Sequence, residues 1–212
     1  MSALVDIASL QAAQAATDPF PFLVVEKFLH PFGIEGIVRD FPAISVPRNH
    51  NLAGLAYGPI FAQLLDELER PEFARTLGEK LGVPGLADLG FNSSIRAHSE
   101  ASDGNIHPDH WTKVVTALLY LNPEWPARGG RLRFLRSRTD LEDYAAEVPP
   151  IAGTLVAFRR SSRSFHGHHK YVGPRRVIQL SWLRRNPIFR AWHGFARYSN
   201  HLVKRSGLHS ED

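Results

Sequence analysis

An α+β fold is predicted, helical in its first third and mostly β thereafter, from three observations. Apolar residues recur at helical spacing up to about Leu81. After Pro84-Gly85 short β-branched and aromatic runs replace them. Gly129-Gly130, Pro149-Pro150 with Gly153, and Gly173-Pro174 punctuate those runs at the spacing of a small β-sandwich or barrel. At 212 residues, 43% hydrophobic and 22% charged, the chain suits one globular domain with trimmings.

The elements follow in order. The N-terminal segment carries Asp6 where a secretory leader would be basic, and its apolar residues are spaced, so a short helix is expected within 1–18. Asp18-Pro19-Phe20-Pro21 breaks it, and Phe22-Leu23-Val24-Val25 reads as a buried strand. Helices are predicted from Pro31 to about Phe41, from Pro59 to Glu69 and from Pro71 to Leu81, with proline near each first turn. Strands are predicted at Ser93–His98, Val114–Leu121, Arg131–Leu135, Thr154–Phe158 and Arg176–Trp182. Beyond Asn186-Pro187, Phe189, Trp192, Phe195 and Leu202 suggest a last helix whose arginines face water.

Composition narrows the chemistry. Cysteine is absent, which excludes disulfides, thiolate nucleophiles, iron–sulfur clusters and sulfur-ligated zinc, so any metal is held by His, Asp or Glu. The absence fits a reducing, cytoplasmic setting. No apolar run reaches the roughly 18 residues of a membrane span. The net charge of +4 resides in the tail, where Arg184, Arg185, Arg190, Arg197, Lys204 and Arg205 face only Glu211 and Asp212. That excess suits water or a weak peripheral contact with anionic lipid. No nucleic-acid-binding motif is present, and no nucleic-acid partner is expected.

The chemistry centres on His107-Pro108-Asp109. In extended backbone, residues two apart project to one face and can grip one metal ion. Gly104 permits a turn before them and the strand from Val114 follows. A third ligand comes from Ser164-Phe165-His166-Gly167-His168-His169, where three histidines compete. Two His and one carboxylate leave open the positions that non-haem iron(II) enzymes use to bind a chelating co-substrate and oxygen. His166 is preferred, because a following hairpin lets Arg176 enter the barrel pointing the same way as Ile178, Leu180 and Trp182. A buried Arg176 needs an anion, and its planar fork matches a carboxylate. Arg175, of opposite parity, is expected to face away.

In order, His107-Pro108-Asp109, Leu119-Tyr120-Leu121-Asn122 with Trp125, Gly129-Gly130 before Leu132-Arg133-Phe134, Pro149-Pro150 with Gly153-Thr154-Leu155, Phe158, His166 and Arg176 through Trp182 resemble the iron(II)- and 2-oxoglutarate-dependent oxygenases, in their prolyl-hydroxylase-like branch. The resemblance implies a double-stranded β-helix, a jelly-roll or cupin-like core, with N-terminal helices packed on one sheet and a basic helix at the C-terminus. It implies an N-terminal segment 1–18, an oxygenase domain 19–186 with a helical front 19–85 and a β core 90–185, and a tail 187–212. Fe(II) would be held by His107, Asp109 and His166, which are the catalytic set. 2-Oxoglutarate would chelate it with its far carboxylate on Arg176 and the Tyr120 hydroxyl. O2 is the oxidant, with ascorbate as a further cofactor.

The resemblance further implies hydroxylation of an unactivated C–H bond in a peptide or small polar substrate. The intact carboxylate argues against the halogenase variant of the fold. Three histidines near the distal position leave His168 as an alternative ligand, and His110 is a candidate to support the carboxylate. Lys113 is expected at the surface or facing substrate. Arg96, His98, Arg131 and Arg133 are candidate rim groups, though the last two fit a solvated strand face. The competing readings are a cupin-like metal-binding protein and a divalent-metal hydrolase or isomerase, and a hydrolase has no need of a buried arginine opposite the metal.

Overall fold

A computed structural model describes residues 2–184 of the chain. All four α-helices lie before residue 81 and seven of the nine strands follow them, as the spacing predicts. The order is α1 (Ile7–Ala12), β1 (Phe22–Val25), α2 (Pro31–Arg39), β2 (His50–Asn51), α3 (Pro59–Leu68), α4 (Pro71–Lys80), β3 (Gly90–Ser99), β4 (Lys113–Tyr120), β5 (Leu132–Leu135), β6 (Tyr144–Val148), β7 (Leu155–Arg159), β8 (His166–Gly167) and β9 (Gly173–Leu183). The helix expected in the tail lies outside the described residues. Proline occupies the first turn of α2, α3 and α4, where its missing N–H costs nothing, and Asp6 caps α1 by accepting from the Ser9 amide at 2.9 Å. Sequence spacing missed β2 and β8, which are two residues each, and β6, whose Ala145-Ala146-Glu147 carries no β-branched signal.

All strand pairs are antiparallel. One sheet has the order β1-β7-β4-β9-β3-β2 and the other β6-β5-β8. Beyond β8 the second sheet gains one more pair, His107 opposite His166.

The large sheet is covered on both faces. Toward the helices, Ile95, Ala117, Leu119, Ile178, Leu180 and Trp182 pack with Leu10, Ile37, Phe61, Leu64, Phe73 and Leu77. Toward the second sheet, Phe22, Tyr120, Val156, Phe158 and Val177 meet Phe20, Leu132, Phe134 and Val148. Burial of each large apolar side chain contributes about 1.5–3 kcal/mol. A one-residue slip of β9 would exchange Ile178, Leu180 and Trp182 for Val177, Gln179 and Ser181, so the helical layer fixes its register. The helical front is tied down by Glu67, 3% exposed, whose carboxylate accepts the Leu4 amide at 2.8 Å and the Val5 amide at 3.0 Å. No helix among the described residues is long and apolar enough to cross a membrane.

Candidate metal centre

His107 and His166 are directly opposed across the edge of the second sheet, and the His107 amide donates to the His166 carbonyl at 3.1 Å, as does the reverse pair. Their ring centroids stand 4.6 Å apart. Nδ1 of His107 lies 2.8 Å from the Asn105 carbonyl and Nδ1 of His166 2.9 Å from the Ser164 carbonyl. Only a protonated Nδ1 satisfies such a contact, which leaves Nε2 of each ring as the nitrogen through which a metal would be bound.

Asp109 reaches the pair from two residues beyond His107. Ligand atoms of His107, Asp109 and His166 all fall within 4.8 Å of one another, and this is the sole such group among the described residues. The Asp109 carboxylate is buried; Lys113 Nζ donates to Oδ1 at 2.9 Å and the Thr116 hydroxyl to Oδ2. Burial opposes its ionisation, yet the Lys113 charge, His166 and the Thr116 hydrogen bond together hold it below the usual carboxylate range. Burial also lowers His166 to about 4, with His107 adding to the effect, so this imidazole is neutral at pH 7. Two imidazoles and an ionised carboxylate are the donors that a divalent iron site takes, and the residues fit the metal.

Gly104 makes the close approach possible. It takes φ +91°, its carbonyl accepts the His168 amide at 3.0 Å, and a Cβ there would stand 2.8 Å from His168 Cε1. No L side chain combines that backbone with that neighbour.

Arg176 is a correction. Its side chain lies over the Phe41 ring at 5.8 Å, on the helical side, and only its backbone is engaged, the amide donating to Asn122 Oδ1 at 2.7 Å. Arg175 is the buried one, 6% exposed. Its Nε donates to the Gly130 carbonyl at 3.0 Å and its Nη2 stands 3.4 Å from the Tyr120 hydroxyl. Period-two alternation along β9 holds, but Ile178, Leu180 and Trp182 face the helices and not the space between the sheets. Arg175 shares its parity with Val177, Gln179 and Ser181, the less apolar face. That polarity was the signal, since a face lining a reaction space keeps polar groups that a face under helices cannot. Tyr120 is fully buried, and burial raises its hydroxyl pKa despite the opposing Arg175 charge. The Gly129-Gly130 turn aims the carbonyl that orients Arg175: Gly130 sits at φ +77° with Trp125 Cζ2 2.6 Å from where a Cβ would be.

The other candidates lie elsewhere. His168 is buried outside the triad with Nδ1 2.9 Å from the His169 carbonyl, and burial followed by the Arg175 charge lowers it to about 4. His110 is exposed and bonds Thr112 Oγ1 at 2.8 Å. Lys113, its side chain 18% exposed, pairs with Asp109. Arg96 pairs with Asp103 and donates to Asn49 at 3.0 Å, while His98 Nδ1 is buried without a partner among the described residues. Arg131 lies 3.6 Å from Glu147. Arg133 clamps Glu147 at 2.6 Å and Glu142 at 2.7 Å beneath Tyr144, away from the triad. Thr116 was not legible as a functional residue, because threonine in a strand is ordinary.

Residues 85–184 match the family described as the 2OG-Fe(II) oxygenase superfamily. No curated protein matches the chain. Among solved structures, a Pseudomonas putida prolyl-4-hydroxylase is similar at 21% identity and TM-score 0.52, over 77% of this chain and 85% of that one. A Phytophthora capsici prolyl 4-hydroxylase gives 16% and 0.58 over 86% and 67%. The non-heme alpha-ketoglutarate-dependent epimerase SnoN from nogalamycin biosynthesis gives 15% and 0.50 over 84% of each. At such identities the likeness is one of fold.

Proposed function

Because residues 85–184 of this chain belong to the 2OG-Fe(II) oxygenase superfamily, an Fe(II)-, 2-oxoglutarate- and O2-dependent enzyme family, we propose that the protein hydroxylates an unactivated C–H bond in a peptide or small polar substrate. The two sheets are read as its double-stranded β-helix. His107, Asp109 and His166 hold the iron. The observation that carries the reading is the convergence of this triad with a buried Arg175–Tyr120 pair on the same interior face.

When bound, iron and 2-oxoglutarate supply the oxidation: O2 is consumed, the keto acid leaves as succinate and carbon dioxide, and one oxygen atom goes to the C–H bond. The chain's own part is orientation. The Asn105 and Ser164 carbonyls hold both imidazoles with Nε2 inward. Thr116 and Lys113 keep Asp109 ionised and fixed. Arg175, braced by Gly130, takes the far carboxylate of 2-oxoglutarate in its fork, and the neutral Tyr120 hydroxyl donates to the same group. The aromatic wall of Phe134 and Phe158 keeps water from that end, which strengthens both contacts.

Anaerobic addition of Fe(II) and then 2-oxoglutarate tests the reading. A weak visible charge-transfer band is expected, absent in Asp109→Ala, with succinate released once air is admitted. Succinate release at the wild-type rate in Asp109→Ala refutes it.

A further inference from the structure

The interior face of the large sheet is divided lengthwise. Cross-strand register aligns Asn92, Ser181, Thr116, Phe158 and Phe22 in one row and Ser94, Gln179, Leu118, Val156 and Val24 in the next. The β1, β7 and β4 end of these rows is mainly apolar and packs against the second sheet. The β9 and β3 end is wholly polar and uncharged. Asn92, Ser94 and Gln179 are half-buried and Ser181 is 2% exposed. Among the described residues none of the four side chains has a hydrogen-bond partner. Four adjacent polar side chains with no protein partner among the described residues, and none of them with a fully buried unpaired atom, are open to a ligand that displaces water and pairs them.

Their position says what they serve. Ser181 is the direct cross-strand neighbour of Thr116, which bonds Asp109. Directly opposed side chains start about 5 Å apart, so the polar strip begins one strand from the metal triad. The cations nearby are occupied: Lys113 by Asp109, and Arg96, one row on, by Asp103. Arg160, which follows β7 and is not part of the strip, donates to the Asp109 carbonyl at 3.1 Å.

Resting on the function proposed above, we infer that Ser181, Gln179, Ser94 and Asn92 receive the part of the substrate beside the iron, and that this part is uncharged and carries several hydroxyl or amide groups. An apolar ring would leave the four groups unpaired, and an anion would find no free counter-ion on the strip.

The test uses the full chain loaded with Mn(II) and 2-oxoglutarate, reading paramagnetic relaxation of probe protons. The probes are methyl β-D-glucopyranoside, N-acetylglycinamide, the methyl glucuronide anion and tetrahydropyran. At least fivefold greater enhancement is expected for the glucoside or the amide than for the other two, the stronger of the pair identifying the substrate as hydroxyl- or amide-bearing. Gln179→Leu and Ser181→Val should each reduce that enhancement at least threefold; the half-buried Gln179 keeps the test open where Ser181→Val fails to fold. Equal or greater enhancement of the anion or tetrahydropyran, no enhancement of any probe, or enhancement insensitive to Gln179→Leu overturns the inference. Separate titrations of Mn(II) and 2-oxoglutarate tell the two failures apart: binding of both with no polar preference sinks this inference alone, whereas no binding sinks the functional reading with it.

Discussion

Each of His107 and His166 donates its backbone amide to the other's carbonyl at 3.1 Å, so two residues far apart in the chain are set face to face by the backbone before any metal arrives. A site preorganised in this way depends on the loop that delivers His107 more than on the metal.

Gly104→Ala tests that dependence. The substitution strains a φ of +91° and pushes a methyl group into His168, a loss of about 1–3 kcal/mol. The expected result is a lower apo melting temperature and at least tenfold weaker Mn(II) binding, both read by differential scanning calorimetry and titration. Unchanged metal affinity would show that the loop does not position His107.

Arg175→Met and Arg176→Met separate the two arginines. The first should weaken 2-oxoglutarate binding at least a hundredfold, because a buried charge-assisted pair is lost. The second, whose side chain lies over Phe41, should change it less than threefold. Titration of the Mn(II)-loaded proteins decides, and the reverse pattern would restore the original expectation.

Much of this architecture was legible from residue order. Helical spacing with proline starts located α2, α3 and α4, and β-branched runs located β4, β5, β7 and β9. The His107-Pro108-Asp109 triplet is weak alone, and it becomes readable with His166 through the ordered motifs that lie around and between them. What failed was the side of the sheet. Alternation along β9 gives two faces, but which one looks inward depends on where the helices pack, and no local pattern of β9 records that. Leucine, isoleucine and tryptophan mark the layer beneath the helices, so the parity that groups Arg176 with them turns it toward that layer and leaves Arg175 between the sheets. The supporting Thr116 and the braces on Arg175 were hidden for another reason: they act through contacts between segments distant in sequence.

The apo protein should lose stability steadily as pH falls from about 6.5 toward 4. His166 and His168 both titrate near 4 when folded and near 6.5 when unfolded. Below 6.5 the unfolded chain therefore binds more protons than the native one, and each histidine withdraws up to about 3 kcal/mol by the lower end of the window. Asp109, also depressed, acts in the same direction at lower pH. Urea midpoints measured between pH 8 and 4 check this, and stability that is flat across that interval would contradict it.

Glu67→Ala leaves the buried Leu4 and Val5 amides without their acceptor. Each unpaired amide costs about 1–3 kcal/mol, so a total loss of about 2–5 kcal/mol is expected. Glu67→Gln, which keeps one acceptor oxygen, should recover part of it, and equal melting temperatures for the two variants would rule out the carboxylate as the anchor.

Depth runs one way through this molecule, from a Tyr120 with no exposure past a nearly covered Arg175 to an exposed His107 at the rim. Phe20, Phe22, Phe134 and Phe158 pack with Tyr120 at the covered end. The space is therefore graded in polarity: a guanidinium and a phenol lie deep among aromatic rings, and the imidazole of His107 lies where water reaches it.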